Sequence, residues 1–142
     1  RKKDMILVSG FNVYPNEVEE QIAAVAGVQE VGVVGVPDAK TGEKVQAFIV
    51  AATPAPKVED ILAHCRENLA AYKVPHGIAF VDELPKSPIG KILRRELRAA
   101  AIAGTIQHGF VIYFARSGYG KIYVRKRHGV ERWKFNGIRK NG

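Results

Sequence analysis

The chain has 142 residues, 46% of them hydrophobic and 25% charged, a balance typical of one globular domain with a core of its own. No apolar stretch approaches the length of a membrane-spanning helix, and the single cysteine excludes an intrachain disulfide. The net charge of +8 arises after residue 98, because residues 1–98 carry 13 basic and 13 acidic side chains, whereas residues 99–142 carry nine basic and one acidic. The sequence therefore has two compositionally different parts.

The first half of the chain predicts a strand, a helix and a hairpin. The apolar stretch DMILVSG, residues 4–10, predicts a short buried strand that ends at a Ser-Gly turn. The stretch PNEVEEQIAAVAG, residues 15–27, predicts a helix. Its apolar face carries Val18, Ile22 and Val25, which recur at helical spacing. The stretches VQEVGVVGV and KVQAFIVAAT flank the turn sequence PDAKTGE and predict a hairpin.

The following stretches predict two more helices and one more strand. VEDILAHCRENLAAY predicts a helix that ends before Pro75, GIAFVDEL predicts a strand, and ILRRELRAAAIA predicts the last helix. Because a hairpin stands among alternating strands and helices, we expect the α+β fold class, a small mixed or antiparallel sheet with flanking helices. The inner face of the second helix carries Ile61, Leu62, Cys65 and Leu69.

Neither the cysteine nor the histidines predict a reactive or metal-binding centre. Cys65 lies on the apolar face of a predicted helix, where an inert packed thiol is favoured over a nucleophile. No two of the four histidines have the spacing of metal ligands, so no metal site is predicted. A single thiol also fits a reducing compartment.

The loop PKSPIGK, residues 85–91, is the strongest candidate for chemistry. Gly90 gives the backbone freedom and Pro88 restricts it, so Lys91 follows a fixed chain direction with a side chain that can reach outward. A lysine ammonium suits a phosphate oxygen or a carboxylate. On spacing alone, a solvent-facing lysine before a helix is the simpler interpretation. A P-loop is excluded, because Ile92 stands where Ser or Thr should follow the Gly-Lys pair.

Three stretches change that balance: RKKDMILVSGFNVYPNEVEE, LAAYKVP and LPKSPIGKILRREL, in this order. Together they resemble the C-terminal domain of the acyl-adenylate-forming (AMP-binding) enzymes, closest to bacterial long-chain fatty-acid–CoA ligases. The resemblance covers about residues 1–98. The sequences FNVYPNEVEE and IGKILRREL resemble the corresponding motifs of acyl-CoA synthetases more than those of the amino-acid-activating domains of peptide synthetases. Luciferase-like relatives are a more distant alternative.

The resemblance implies a two-step reaction. A carboxylate attacks the α-phosphate of ATP to give an acyl-adenylate and pyrophosphate, and the thiol of CoA then displaces AMP to give a thioester. A large N-terminal domain, absent from this chain, would bind fatty acid, ATP and Mg²⁺, while the small C-terminal domain rotates between two poses. We therefore expect a cytoplasmic enzyme, with peripheral contact at the inner membrane face left open, and no turnover by this chain alone.

The resemblance also implies roles for single residues. Lys91 matches the catalytic lysine that contacts the substrate carboxylate and ribose-phosphate oxygens during adenylation, where it stabilises charge that develops at phosphorus. Arg1 matches an arginine near the nucleotide ribose. Lys3 matches the hinge residue about which the domain rotates. Without the resemblance, residues 1–4 would be a solvated basic end.

A second loop is implied in thioester formation. Ser9, Gly10 and Phe11 match the loop that enters the active site with CoA, where Gly10 would let the backbone approach the pantetheine arm. The alternative is an ordinary turn glycine.

Other motif positions receive weaker interpretations. Glu17 is expected to be a structural or capping acid. Tyr72 and Lys73 belong to the LAAYKVP motif without an assigned role. A solvated helix face is favoured over contact with CoA phosphates for the three arginines of the last helix. They are Arg94, Arg95 and Arg98.

We expect residues 1–103 to form the mobile lid domain and residues 104–142 a basic, aromatic tail outside the resemblance. The stretch GFVIYFARSGYGKIYVRKR predicts two strands around a Ser-Gly-Tyr-Gly turn. One interpretation is a non-enzymatic module that binds single-stranded nucleic acid by phosphate contacts and stacking. The other, which the absence of a family-like ending favours, is a frameshift or read-through near residues 99–104 that yields a disordered tail. The start at Arg1 rather than Met also suggests a fragment.

Overall fold

The structure is a computed structural model that describes residues 4–104 in full and, beyond them, only the backbone of three strands. The helices are α1 (Pro15–Ala23), α2 (Val58–Asn68) and α3 (Arg94–Ala103), with a short 3-10 helix at Ala71–Lys73. The strands are β1 (Ile6–Val8), β2 (Phe11–Val13), β3 (Val28–Asp38), β4 (Gly42–Ala51), β5 (Gly77–Phe80), β6 (Phe110–Phe114), β7 (Ile122–Lys126) and β8 (Gly129–Arg132).

The described strands form one mixed sheet. Strands β3 and β4 make the predicted antiparallel hairpin, with a register that runs from Val28 opposite Ala51 to Asp38 opposite Gly42. Strand β5 pairs with β4 in parallel, and the other pairings are antiparallel. The order is β2-β1-β4-β5-β6-β7-β8, with β3 on β4. The predicted α+β class with a small mixed sheet is confirmed, and β6 and β7 lie where two strands were predicted.

The sheet separates two hydrophobic cores because successive side chains of a strand point to opposite faces. The first core packs against α1 and α2 and contains Ile6, Val8, Val13, Val18, Ile22, Val31, Val33, Val45, Ala47, Ile49, Val58, Ile61, Leu62, Cys65, Leu69, Ile78 and Phe80. The second core packs against α3 and contains Val34, Phe48, Ala79, Val81, Leu84 and Leu97, with Ile92 half-buried beside it. The predicted inner faces of α1 and α2 belong to the first core.

Several element boundaries differ from the sequence predictions. Helix α1 ends at Ala23, before Gly27, and α2 ends at Asn68 rather than Tyr72. The backbone at Leu69 is extended, and the residues that follow form the separate 3-10 turn. Strand β5 is four residues long, half the predicted stretch, and β2 was not predicted.

Within the part of the chain that the structure describes, no helix has the length and apolar character needed to cross a membrane.

Candidate functional site

Lys91 closes a tight loop at the start of the last helical segment. The loop is bounded by an antiparallel bridge between Lys86 and Ile92. Inside it, the backbone N–H of Ser87 donates to the carbonyl oxygen of Lys91 at 2.8 Å, and the N–H of Gly90 donates to the carbonyl oxygen of Ser87 at 2.9 Å. Gly90 has φ +84°, a left-handed conformation that favours glycine. The backbone of Lys91 is therefore held by hydrogen bonds on both sides of the turn.

The side chain of Lys91 is exposed at the edge of a cleft of about 550 Å³. Asp4, Asn16 and Arg95 also line this cleft. Among residues 4–104, the described ion pairs leave the Lys91 ammonium without a carboxylate partner. A lysine on a fixed backbone, with no carboxylate partner among these residues, is suited to binding an anionic group from outside them.

The second predicted loop is a two-residue hairpin between β1 and β2. Its turn residues are Ser9, with φ 50°, and Gly10, with φ 84°. Positive φ at both central residues is the mark of a type I′ turn, whose twist matches that of the flanking strands. A Cβ built on Gly10 would meet no atom within 4 Å, so the surface beside this glycine is open. The N–H of Ser9 donates to the carbonyl oxygen of Thr41 at 2.8 Å and ties the turn to the β3–β4 hairpin.

The LAAYKVP motif supports this hairpin, a role that sequence reasoning missed. Phe11 is 56% exposed, and its ring stacks on Tyr72 with centroids 4.7 Å apart. Lys73 donates from Nζ to the Glu17 carboxylate at 2.8 and 3.0 Å, and it lies 5.7 Å from the Tyr72 ring centroid. The hydrogen bond to Glu17 raises the pKa of Lys73. Glu17 is thus the structural acid that was predicted, tied to the 3-10 turn rather than capping its helix.

Arg94 contradicts the prediction of a solvated arginine face. Its side chain is 22% exposed. Nε donates to Glu19 Oε2 at 3.1 Å, Nη1 donates to Asp4 Oδ2 at 3.3 Å, and Nη2 donates to Asn16 Oδ1 and to the second Glu19 oxygen. Glu19 Oε2 also accepts the backbone N–H of Val33 at 2.9 Å. The prediction is wrong here because acids from the first twenty residues reach the start of α3.

Arg98, one helical turn further along α3, is a structural tie as well. Its Nε donates to the carbonyl oxygen of Gly35 at 2.9 Å, and Nη2 donates to Glu43 at 3.4 Å. Glu43 in turn accepts the backbone N–H of Leu7 at 2.8 Å. Arg95 and Arg98 are both exposed, but Arg98 is tied to the sheet, so of the three arginines Arg95 fits the predicted solvated face.

Cys65 is buried in the first core, as its helical position predicts. Burial raises the pKa of the thiol to about 11, so the group is protonated at neutral pH. In residues 4–104 no three His, Cys, Asp or Glu side chains converge as a metal-binding group would require.

The predicted site residues occupy two separate places. Lys91 directly precedes Ile92, which packs against the second core, whereas Ser9, Gly10 and Phe11 belong to the hairpin of β1 and β2, whose buried side chains lie in the first. Arg1 and Lys3 lie outside the described residues, so their predicted roles stay predictions.

Comparison with known proteins identifies the family. The AMP-binding enzyme C-terminal domain family matches residues 17–91, more than half of the chain. A long-chain-fatty-acid–CoA ligase of Escherichia coli O6:H1 is 57% identical over 101 residues, which are 71% of this chain and 18% of the ligase. A methyl-dioxo-octahydroindenyl-propanoyl:CoA ligase of Rhodococcus jostii is 48% identical over 99 residues, 69% of this chain and 19% of the ligase.

A solved structure agrees with these relatives. The Mycobacterium tuberculosis fatty acyl CoA synthetase superposes with a TM-score of 0.70 at 43% identity, over 73% of this chain and 21% of that one. The chain belongs to the AMP-binding enzyme family, of which it carries the C-terminal domain, and the predicted resemblance is confirmed. It spans about 18% of the length of the curated relatives it matches.

Proposed function

We propose that this chain is the C-terminal lid portion of an ATP-dependent, AMP-forming acyl-CoA synthetase that acts on fatty acids. The observation that carries the proposal is Lys91, an exposed cation without an ion-pair partner among residues 4–104, on a hydrogen-bonded loop at the end of the matched family segment. The reaction joins a carboxylate to the α-phosphate of ATP with loss of pyrophosphate. The CoA thiol then attacks the acyl carbonyl and AMP leaves.

In the first step, negative charge builds on the oxygens around phosphorus as the carboxylate attacks. A cation delivered to those oxygens lowers the barrier because it interacts more strongly with the transition state than with the substrates. Lys91 can supply that cation because no ion pair in the fully described part of the chain neutralises it. The fixed loop sets the approach and the flexible side chain completes it.

In the second step, the Ser9–Gly10 turn is proposed to face the pantetheine arm of CoA. Support comes from the open surface beside Gly10 and from the exposed ring of Phe11, which Tyr72 holds in place. Arg1 and Lys3 are proposed as the nucleotide-binding arginine and the hinge. Rotation about Lys3 would exchange one loop for the other at a single active site.

The remaining parts of the site are proposed to lie in an N-terminal domain. Relatives are about five times longer than the matched segment, and that domain would bind ATP, Mg²⁺ and the fatty acid. We therefore expect no turnover by this chain alone. Fatty acid is favoured as substrate by the 57% identity to a long-chain ligase, against 48% to a ligase of a bulky fused-ring acid. A cytoplasmic location is proposed on the same basis.

The test is a separation of the two half-reactions in the full-length enzyme. We expect Lys91→Ala to slow adenylation, measured as carboxylate-dependent ATP–pyrophosphate exchange, by about 100- to 1000-fold. Thioester formation from supplied acyl-adenylate and CoA should continue. Lys86→Ala is the matched control, since it removes a lysine of the same loop that already pairs with Glu30. Full adenylation by Lys91→Ala, with loss of thioester formation, would show the assigned role to be wrong.

A second candidate function rests on the charge of residues 99–142, which carry nine basic side chains and one acidic one. This composition favours binding to single-stranded nucleic acid. Titration of the chain with a fluorescent oligonucleotide at 50 and 200 mM salt tests it, and affinity that does not fall with salt would contradict it.

A further inference from the structure

Arg94 links the Lys91 loop to the part of the domain that lies next to the proposed hinge. Arg94 is the first residue of α3 and lies three residues after Lys91. One of its acceptors, Asp4, follows Lys3 directly in the chain and precedes β1. The guanidinium therefore connects the helix behind the catalytic loop with the segment through which the chain enters the domain.

Two side chains of α1 also accept hydrogen bonds from the Arg94 guanidinium. Glu19 of α1 is 14% exposed, and its carboxylate accepts from Arg94 and from the backbone N–H of Val33 in β3. Asn16 of α1 accepts from the same guanidinium. A planar guanidinium with several fixed donors can bind all of these acceptors at once, whereas a lysine ammonium acts as a single point charge. The cluster is specific to arginine geometry.

We propose that Arg94 is a positioning residue for adenylation, which holds the Lys91 loop at a fixed place relative to the segment at Asp4. The inference rests on the proposed function of Lys91. A rotating domain must deliver Lys91 to within a fraction of an ångström, because a displacement of about 1 Å can cost on the order of 100-fold in rate. Lys91 has no ion pair of its own among residues 4–104, so its placement depends on the backbone and on what anchors the helix behind it.

A purely structural role for Arg94 makes a different prediction. If the cluster only stabilised the domain, its loss would lower the amount of folded protein and reduce both half-reactions in parallel. A positioning role affects adenylation, which uses Lys91, and spares thioester formation, which uses the Ser9–Gly10 turn, because the acceptors of Arg94 are Glu19, Asp4 and Asn16 and none belongs to that turn. The two half-reactions therefore separate the two roles.

The experiment compares Arg94→Lys with Arg98→Lys in the full-length enzyme. Both variants keep the charge, lie on α3 and lose a side-chain tie of similar reach. For Arg94→Lys we expect the kcat of adenylation to fall about 10- to 100-fold, with the KM for ATP and the rate of thioester formation from supplied acyl-adenylate within about twofold. Arg98→Lys should show no such split. Parallel loss of both half-reactions in Arg94→Lys, or no loss, overturns the proposal.

Hydrogen exchange supplies a readout that does not depend on activity. The amides of Ser87, Gly90 and Leu93 are hydrogen-bonded within the loop, and we expect them to exchange faster in full-length Arg94→Lys while the β3–β4 amides are unchanged. Unchanged exchange in the loop overturns the anchoring role even if Lys91→Ala confirms the proposed function. If Lys91→Ala retains adenylation, the proposed function fails and the positioning role for adenylation fails with it, whatever the exchange data show.

Discussion

The contact between Gly32 of β3 and Leu97 of α3 sets how closely the last helix lies on the sheet. A Cβ added at Gly32 would lie 2.6 Å from Leu97 Cδ2 and 3.3 Å from Ile92 Cγ2. Leu97 is 1% exposed and has little room to move away. Gly32→Ala therefore overpacks the second core, which we expect to cost about 1–3 kcal/mol in free energy of unfolding. The better strand propensity of alanine offsets about 0.5–1 kcal/mol of that cost.

Leu97→Ala removes the atoms that this added methyl would strike. Alone it leaves a cavity, and we expect it to lower the free energy of unfolding by about 2–5 kcal/mol. In the double variant, the methyl of the alanine at position 32 enters space that Leu97 vacated. The double variant should therefore lose less than the sum of the two single changes, by at least about 1 kcal/mol.

Urea denaturation of the purified chain, followed by far-ultraviolet circular dichroism, measures these free energies when the slopes of the variants agree. The control pairs Gly32→Ala with Ile61→Ala, a fully buried side chain of the first core. That pair should be additive within about 0.5 kcal/mol, because the two sites share no contacts across the sheet. Additivity of Gly32→Ala with Leu97→Ala would refute the close packing of α3 on β3.

Three further predictions follow from contacts on the opposite face. Cys65 should resist a thiol reagent at pH 8 in the native chain and react once urea unfolds it, since burial holds its pKa at about 11; rapid native labelling would contradict this. The Glu17–Lys73 pair, 2.8 Å apart, should contribute up to about 1 kcal/mol in a double-mutant cycle. Because the pKa of Lys73 is raised on folding, this contribution is fully present below the unfolded lysine pKa of about 10.4 and is lost as the pH rises through the higher pKa of the folded state, which stability measurements from pH 8 upward would reveal. Phe11→Ala should slow thioester formation in the full-length enzyme and leave adenylation unchanged, and equal effects on both steps would contradict the assignment of the hairpin.

The local sequence was sufficient for the elements that bury a regular apolar face. Strands β3 and β4 were predicted because they are apolar runs on both sides of a turn sequence, and the inner face of α2 was predicted from helical spacing. Strand β2 was missed because it has three residues and only Val13 among them is buried. The strand depends on a turn in which Ser9 takes a positive φ. A positive φ at a residue other than glycine is uncommon and is rarely predictable from sequence.

Polar contacts between residues far apart in the chain could not be predicted from the sequence. Arg94 donates to acceptors 75 to 90 residues away, which is why the local sequence predicted only a solvated basic face for its helix. The pairing of Glu17 with Lys73 spans 56 residues, and only the folded chain brings the two charges together. The loop before Lys91 could be expected from the sequence because it is local: Pro88 and Gly90 define the turn, and its hydrogen bonds join residues between Pro85 and Leu93.

Each of the two loops proposed for catalysis rests on its own side of the sheet. The Ser9–Gly10 turn joins β1 and β2, which contribute Ile6, Val8 and Val13 to the first core, while Lys91 precedes the helix that inserts Leu97 into the second. The two sides still meet at Arg94, because Glu19 and Asn16 of α1, a helix of the first core, accept hydrogen bonds from the guanidinium at the start of α3. A substitution that displaces α1 is therefore expected to reach both loops, whereas one confined to the contacts of Leu97 acts first on the loop of Lys91.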